Sequence, residues 1–295
     1  MPQAAARTVE PDPPFSVLRP AAQTLAMVLA SPHSGTNYAP EFIAASRLDP
    51  LSLRRSEDAY VDELFGAGPR LGAPLLKALF PRAYVDPNRE PYELDPDMFS
   101  DALPPYANTR SARVAVGLGT IARVVTDGAE IYRGKLPFAE AQRRIEFLYM
   151  PYHAQLESLT DETLDRFGRC LLIDCHSMPS VGSPVDRDPG RARVDMVLGD
   201  CHGAACAPIV AERAEAVLRG QGYSVACNNP YAGGFTTRHY GKPALGLHAL
   251  QVEVNRALYM DERTLARKAH FSTMTGHMTE LIAALGEVAA ALKTR

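Results

Sequence analysis

Short apolar runs of strand length alternate with longer helical or irregular stretches along this chain of 295 residues. Leu25–Ala30, Cys170–Cys175 and Gly246–Val254 are the clearest of these runs. Strands that alternate with helices usually form a largely parallel sheet with helices packed on both faces. The pattern therefore predicts an α/β fold of three layers, built on a mostly parallel or mixed sheet.

The domain organisation follows from length and from the lack of an internal linker. A chain of 295 residues is within the range of one large α/β domain. The N-terminal segment Met1–Pro14 is rich in Ala and Pro, and it lacks the basic start and apolar core of a signal peptide. We expect a flexible tail over residues 1–15 and a single domain over residues 16–295.

Composition excludes several classes of partner. The formal net charge of -3 argues against a nucleic-acid or anionic membrane partner. No apolar run reaches the roughly 20 residues of a membrane span. The chain has five cysteines and no C-x-x-C pair, which is typical of reduced thiols. We therefore expect a cytoplasmic protein with a small-molecule partner, whose oligomeric state the sequence leaves open.

Two of the apolar runs lead into a histidine. His33 follows Leu25–Ala30 after two residues, and His176 follows Cys170–Cys175 directly. Because ligands of open α/β sheets bind beyond the carboxyl ends of the strands, the two imidazoles are expected to share one divalent metal ion. Asp174 alternates onto the same side of its strand as His176 and is a candidate to orient that ring. For either histidine alone, a hydrogen bond to the backbone is the simpler interpretation.

A carboxylate is expected as the third metal ligand, because zinc accepts carboxylate oxygen beside imidazole. Glu57 and Asp58 lie where a helix is predicted over residues 58–65, soon after the His33 strand. Spacing does not separate these two candidates, and a capping role at the helix start is the alternative for Asp58. Asp86 and Asp195 are further candidates.

Glu253 is the candidate general base. It lies between two valines in the third apolar run, where burial disfavours the ionised carboxylate. A carboxyl group with such a tuned pKa suits the transfer of a proton from water to a leaving amine. A structural salt bridge to Arg256 is the alternative. Two imidazoles, a carboxylate ligand and a free carboxylate are the side chains of a mononuclear zinc hydrolase.

Two arginines lie in irregular segments that can reach the same site. Arg89 follows Asn88 in the Pro-rich stretch 87–108, and Arg238 follows a Gly-Gly pair. A guanidinium group binds a carboxylate through two parallel hydrogen bonds, so two arginines would suit a small dicarboxylate. A solvated surface arginine is the alternative for each.

Several segments together resemble the N-formylglutamate amidohydrolase family. These segments are Ser31–Gly35, Val85–Arg89, Leu172–Pro179, Gly233–Gly241, Gly246–Glu253 and Tyr259–Glu262. The resemblance implies a zinc-dependent hydrolase with a carboxypeptidase-like, or phosphorylase/hydrolase-like, α/β fold. It also implies cleavage of N-formyl-L-glutamate to formate and L-glutamate, a step of histidine degradation.

Carried over by position, the resemblance implies one Zn²⁺ per chain, bound by His33 and His176. It implies that Glu253 is the general base. The same comparison makes Asn88, Arg89 and Arg238 contacts of the substrate carboxylates.

The acidic segment departs from the family pattern. The family pattern reads Asp-x-Asp there, whereas this chain has Ser56, Glu57 and Asp58. Asp58 matches the second Asp and is therefore the preferred third ligand, with Glu57 as the alternative. The missing first Asp is compatible with a metal-dependent amidase or peptidase for another N-acyl amino acid or a small peptide. A catalytically silent small-molecule-binding protein is the second alternative.

Overall fold

The computed structural model describes residues 13–293, which contain seven strands and ten α-helices. The strands are β1 (Phe15–Leu18), β2 (Met27–Ser31), β3 (Leu75–Ala78), β4 (Cys170–Met178), β5 (Met196–Gly199), β6 (Val225–Cys227) and β7 (Leu247–Asn255). The helices are α1 (Pro40–Ala45), α2 (Pro50–Leu53), α3 (Val61–Leu64), α4 (Gly68–Leu71), α5 (Ala112–Ala115), α6 (Phe138–Arg144), α7 (Met150–Phe167), α8 (Pro208–Gly220), α9 (Phe235–Tyr240) and α10 (Phe271–Ala291). Most of the predicted tail, residues 1–12, lies outside the described residues.

The seven strands form one mixed sheet in the order β1-β3-β2-β4-β7-β5-β6. The four central strands β3, β2, β4 and β7 run parallel to one another. At the edges, β1 is antiparallel to β3, and β5 is antiparallel to β7. The predicted α/β fold with a mostly parallel or mixed sheet is therefore confirmed.

Alternate residues of the central strands pack into two different cores, one on each face of the sheet. Leu171, Ile173 and Cys175 of β4 belong to the first core, with side chains of α3, α8 and α10. Leu172 belongs to the second core, with side chains of α1, α6 and α7. Each buried strand thus has two apolar faces, as expected for a sheet covered by helices on both sides.

The alternation is interrupted near the carboxyl ends of β4 and β7, where polar residues replace apolar ones on the face of the second core. In the parallel register, Asp174 is opposite Gln251, and His176 is opposite Glu253. Residues two apart on a strand share a face. The register therefore places these four polar side chains on one face at one end of the sheet.

The helix predicted over residues 58–65 is shorter than expected. It begins at Val61, because Tyr60 has a left-handed backbone conformation with φ of 66°. This conformation interrupts the helix and leaves Asp58 in the turn before it. Of the helices in residues 13–293, none is long and apolar enough to cross a bilayer.

Candidate active site

His33, Asp58 and His176 meet at one point beyond the centre of the sheet. Nδ1 of His176 lies 3.1 Å from Nδ1 of His33 and 3.1 Å from Oδ2 of Asp58. Nδ1 of His33 lies 3.3 Å from the same carboxylate oxygen. All three residues are buried. We refer to them as the ligand cluster, because each offers one donor atom and the three atoms lie within 4.8 Å of one another.

Carboxylates brace the far side of each imidazole in the ligand cluster. Nε2 of His33 lies 2.7 Å from Oδ1 of Asp86, which leaves Nδ1 as the nitrogen that faces the cluster. Nε2 of His176 lies 2.9 Å from Oδ1 of Asp174. A carboxylate behind a ligating imidazole fixes the ring and increases its basicity. A carboxylate therefore lies beside each ring on the side away from the cluster.

The ligand cluster is rich in negative charge. Burial alone would raise the pKa of Asp58, but hydrogen bonds with His176 and His33 hold it well below its ordinary value. Burial likewise opposes a charged His176, yet the charge of Asp174 raises the pKa of this imidazole well above its ordinary value. The surroundings thus favour a positive charge at the centre of the cluster, which fits the chemistry of a bound divalent cation.

The other candidate ligands lie elsewhere. The Glu57 carboxylate accepts hydrogen bonds from Arg54 at 2.8 Å and from Tyr38 at 3.3 Å, away from the ligand cluster. Asp195 accepts a hydrogen bond from Ser224 at 2.6 Å. Asp86 contacts the cluster only through Nε2 of His33. Of the four carboxylates considered from sequence, only Asp58 points into the cluster.

Glu253 lies next to the ligand cluster on the adjacent strand. Gln251 donates a hydrogen bond of 2.9 Å to its Oε1, and its Oε2 accepts none from residues 13–293. Burial raises the pKa of Glu253 to about 7, an effect that the charges of His176 and Arg82 partly oppose. The salt bridge considered between Glu253 and Arg256 is not formed, because Arg256 donates to Oδ1 of Asp58 at 2.8 Å.

A cavity of about 540 Å³ opens over the ligand cluster and Glu253. Its walls come mainly from irregular segments, and their side chains include six arginines: Arg82, Arg89, Arg113, Arg187, Arg238 and Arg256. A volume of this order accommodates a small organic molecule. The chemistry of the walls suits an anionic one.

Asn88 connects the cavity wall to the ligand cluster. Its Nδ2 lies 3.2 Å from Nε2 of His176, and its Oδ1 accepts a hydrogen bond of 2.8 Å from the backbone of Thr236. Gly234 approaches so closely that a Cβ there would lie 2.3 Å from the Asn88 amide. The Gly-Gly segment is therefore packed directly against a residue that contacts His176.

Arg89 and Arg238 both line the cavity, but their surroundings differ. Arg89 is buried, and its guanidinium donates to the carbonyl oxygens of Leu118 and Asn88 at 2.8 Å each. Arg238 is exposed, and within residues 13–293 its guanidinium donates only to the carbonyl oxygen of Gly233, at 3.3 Å. Arg238 therefore has more donors available for a ligand.

Sequence reasoning missed Arg82. Its Nε donates to Asp86 at 3.0 Å, so it braces the same carboxylate that holds His33. The only signal in the sequence was the spacing of four residues between Arg82 and Asp86. Arg256 was considered only as a partner of Glu253, whereas it pairs with Asp58 of the ligand cluster.

Comparisons of sequence identify similar proteins. The model of the N-formylglutamate amidohydrolase family matches residues 25–260. The N-formylglutamate deformylase of Pseudomonas aeruginosa is 33% identical over 241 residues, which are 80% of this chain and 83% of that protein. The protein of the same name from Pseudomonas putida is 30% identical, over 81% of this chain and 83% of that protein.

Solved structures extend the likeness to the fold. The crystal structure of N-formylglutamate amidohydrolase from Ralstonia eutropha superimposes with a TM-score of 0.86 at 37% identity, covering 94% of this chain and 99% of that one. A gene product of Agrobacterium tumefaciens has a TM-score of 0.67 at 20% identity, over 93% of this chain and 95% of that one. The second likeness concerns the fold alone.

Proposed function

Because this chain belongs to the N-formylglutamate amidohydrolase family, we propose that it hydrolyses N-formyl-L-glutamate to formate and L-glutamate. The observation that carries the proposal is the ligand cluster beside Glu253, in a cavity with six arginines in its walls. A buried carboxylate next to a cation site can move protons. Guanidinium groups around it can hold a substrate with two carboxylates.

We propose that the ligand cluster binds one Zn²⁺ per chain, through Nδ1 of His33, Nδ1 of His176 and Oδ2 of Asp58. Two imidazoles and one carboxylate, with room left for substrate, are a donor set that catalytic zinc accepts. A zinc ion in this position would act as a Lewis acid towards the formyl carbonyl and a water molecule. Glu57 has no part in this proposal, because its carboxylate is occupied by Arg54.

Glu253 is the proton carrier of the proposed reaction. Its Oε2 accepts a proton from the attacking water, while Gln251 holds Oε1 in place. As the carbon–nitrogen bond breaks, the protonated carboxyl returns that proton to the departing amine nitrogen of glutamate. A pKa near neutrality suits both transfers, because the group must accept and release a proton at the same pH.

The arginines and Asn88 hold the substrate in the proposed complex. Arg238 offers the donors of an exposed guanidinium to one carboxylate, and Arg89 offers the N–H groups that its backbone contacts leave available. Asn88 contacts both His176 and the backbone of Thr236, so it links the ligand cluster to the segment that carries Arg238. Binding through carboxylates remote from the formyl group positions the amide bond near Glu253.

The pathway and compartment belong to the same proposal. N-formyl-L-glutamate as substrate places the enzyme in histidine degradation. All five cysteines are free thiols, which supports a cytoplasmic location.

Formate release tests the proposed function. The zinc-loaded protein should release formate from N-formyl-L-glutamate, and acetate release from N-acetyl-L-glutamate should be much slower. Preference for the N-acetyl compound or for a small peptide would favour the broader amidase. If zinc binds and none of these compounds is cleaved, the protein is a binding protein and the proposed activity is wrong.

A further inference from the structure

One wall of the cavity contains an arginine that has no assigned role. Arg113 lies in the short helix α5 and lines the cavity, as does the buried Arg89. Its guanidinium makes no ion pair with any of residues 13–293, and its side chain is only partly exposed. The other arginine of this wall, Arg89, donates to two backbone carbonyl oxygens and pairs with Asp86 at 3.4 Å.

The carboxylates of this wall are occupied. Glu90 accepts a hydrogen bond of 2.9 Å from Asn108, and Glu93 accepts hydrogen bonds from Ser111 and from the backbone of Glu90. Neither carboxylate pairs with Arg113. The donors of the Arg113 guanidinium are therefore not used by these two carboxylates.

A second positive charge lies close by. Burial, with a smaller contribution from the charge of Arg113, lowers the pKa of Arg89 to about 10, and the charge of Asp86 partly opposes this shift. Two guanidinium groups that repel each other beside a cavity are stabilised when an anion binds between them. A planar carboxylate fits the donors of such groups.

The segment that carries Arg113 is fixed to the rest of the wall. Ser111 caps α5 by accepting a hydrogen bond of 3.0 Å from the backbone of Val114. Leu118 accepts from Arg89 at 2.8 Å, and the backbone of Thr120 donates to Glu93 at 2.8 Å. These contacts reduce the freedom of the wall, so little ordering is required when a ligand binds.

We infer that Arg113 binds a carboxylate of the substrate and is a specificity-determining residue of this cavity. The inference rests on the proposed function for the identity of the substrate. Arg89 then serves as the neighbouring charge and as the brace of the wall. Arg113 supplies more free donors than the buried Arg89, whose Nε and Nη1 already donate to backbone carbonyl oxygens.

Kinetics of Arg113→Gln test this inference. We expect the KM for N-formyl-L-glutamate to rise about tenfold or more, with a smaller change in kcat, because ground-state binding of a carboxylate is lost. The KM of Arg113→Lys should lie between the values of Arg113→Gln and the unaltered protein, since lysine retains the positive charge but lacks the two parallel donors of a guanidinium. Arg110→Gln is the matched control, as Arg110 is exposed in the same segment and does not line the cavity.

Glutarate binding separates this inference from the proposed activity. Glutarate has two carboxylates at the spacing found in glutamate and no amide bond, so calorimetry with it requires no turnover. Zinc-loaded Arg113→Gln should bind glutarate about tenfold more weakly than the unaltered protein does. Equal glutarate affinity in the two proteins, or an unchanged KM, would overturn the role of Arg113. Failure of the unaltered protein to release formate contradicts the proposed activity instead.

Discussion

The two ends of the cavity differ in how their charges are balanced. At the ligand cluster, each carboxylate that contacts a histidine is buried and has a fixed neighbour, as Asp58 has in Arg256. At the opposite walls, Arg113, Arg187 and Arg238 form no ion pair with residues 13–293. A preorganised, electron-rich cluster suits a cation, and unpaired guanidinium groups suit an anion. We therefore propose that the cavity is divided between a cation site at the ligand cluster and an anion site at the opposite walls.

Loss of a ligand should have the largest effect and would abolish the cation site. His176→Ala and Asp58→Asn are each expected to lose bound zinc and all measurable formate release, because the first loses an imidazole ligand and the second the negative charge of the carboxylate ligand. Metal analysis of the purified variants is the measurement. Glu57→Gln is the matched control, since this neighbouring carboxylate binds Arg54. Full zinc content in Asp58→Asn, together with zinc loss in Glu57→Gln, would reverse the ligand assignment.

Substitution of the proton carrier should separate chemistry from metal binding. Glu253→Gln is expected to retain zinc and to lose turnover by about 10²–10⁴-fold, the usual contribution of a general acid–base group. Steady-state kinetics with metal analysis on one preparation measure both quantities. Near-normal kcat with full zinc would show that Glu253 has a purely structural role.

The pH profile should report the same carboxylate. Burial raises the pKa of Glu253 to about 7, and a nearby cation lowers it, so kcat/KM should decline as pH falls through a value at or below 7. Activity is lost on the acidic side because only the ionised carboxylate accepts a proton. The residual activity of Glu253→Gln should lack this decline. An identical acidic limb in both proteins would assign the titration to another group.

A smaller effect is expected where the two ends of the cavity meet. In Gly234→Ala the new methyl group would lie 2.3 Å from the Asn88 amide, so Asn88 must move away from His176. Overpacking of this kind costs about 1–3 kcal/mol, and kcat/KM should fall by about tenfold to a hundredfold. Gly220→Ala is the control, because a Cβ there meets no atom within 4 Å. Equal kcat/KM in the two variants would show that this packing contact does not affect catalysis.

The anion site should respond to the number of carboxylates on the substrate. Arg238→Lys is expected to lower kcat/KM for N-formyl-L-glutamate by about tenfold, because the fork of two donors is lost. Kinetics with N-formyl-L-glutamine then show which carboxylate is bound. A loss confined to N-formyl-L-glutamate assigns Arg238 to the side-chain carboxylate, and equal losses assign it to the α-carboxylate. Unchanged kinetics on both substrates would contradict carboxylate binding by Arg238.

The two ends of the cavity also differ in how well their residues could be predicted from the sequence. His176 and Glu253 lie on buried strands, where a polar residue in an apolar run is conspicuous and the register brings neighbours together. Asp58 could not be distinguished from Glu57 by spacing, because a left-handed Tyr60 delays the start of the expected helix to Val61 and leaves Asp58 in the turn before it.

Residues on irregular segments gave no such signal. Arg82 and Arg113 reach the cavity through turns and a four-residue helix, which have no periodicity to read. Their roles depend on which neighbouring carboxylates are already paired, and only the tertiary structure determines this. Arg89 illustrates the point, since its motif predicts a ligand contact but does not indicate the backbone carbonyl oxygens and the Asp86 carboxylate that its guanidinium also contacts.

Zinc titration of the chelator-treated protein tests the central claim most directly. Formate release from N-formyl-L-glutamate is measured as Zn²⁺ is added to protein from which metal has been removed. The account predicts no activity at the start, a linear rise, and a plateau at about one Zn²⁺ per chain. A full rate of formate release from the metal-free protein, with no response to added Zn²⁺, would contradict it.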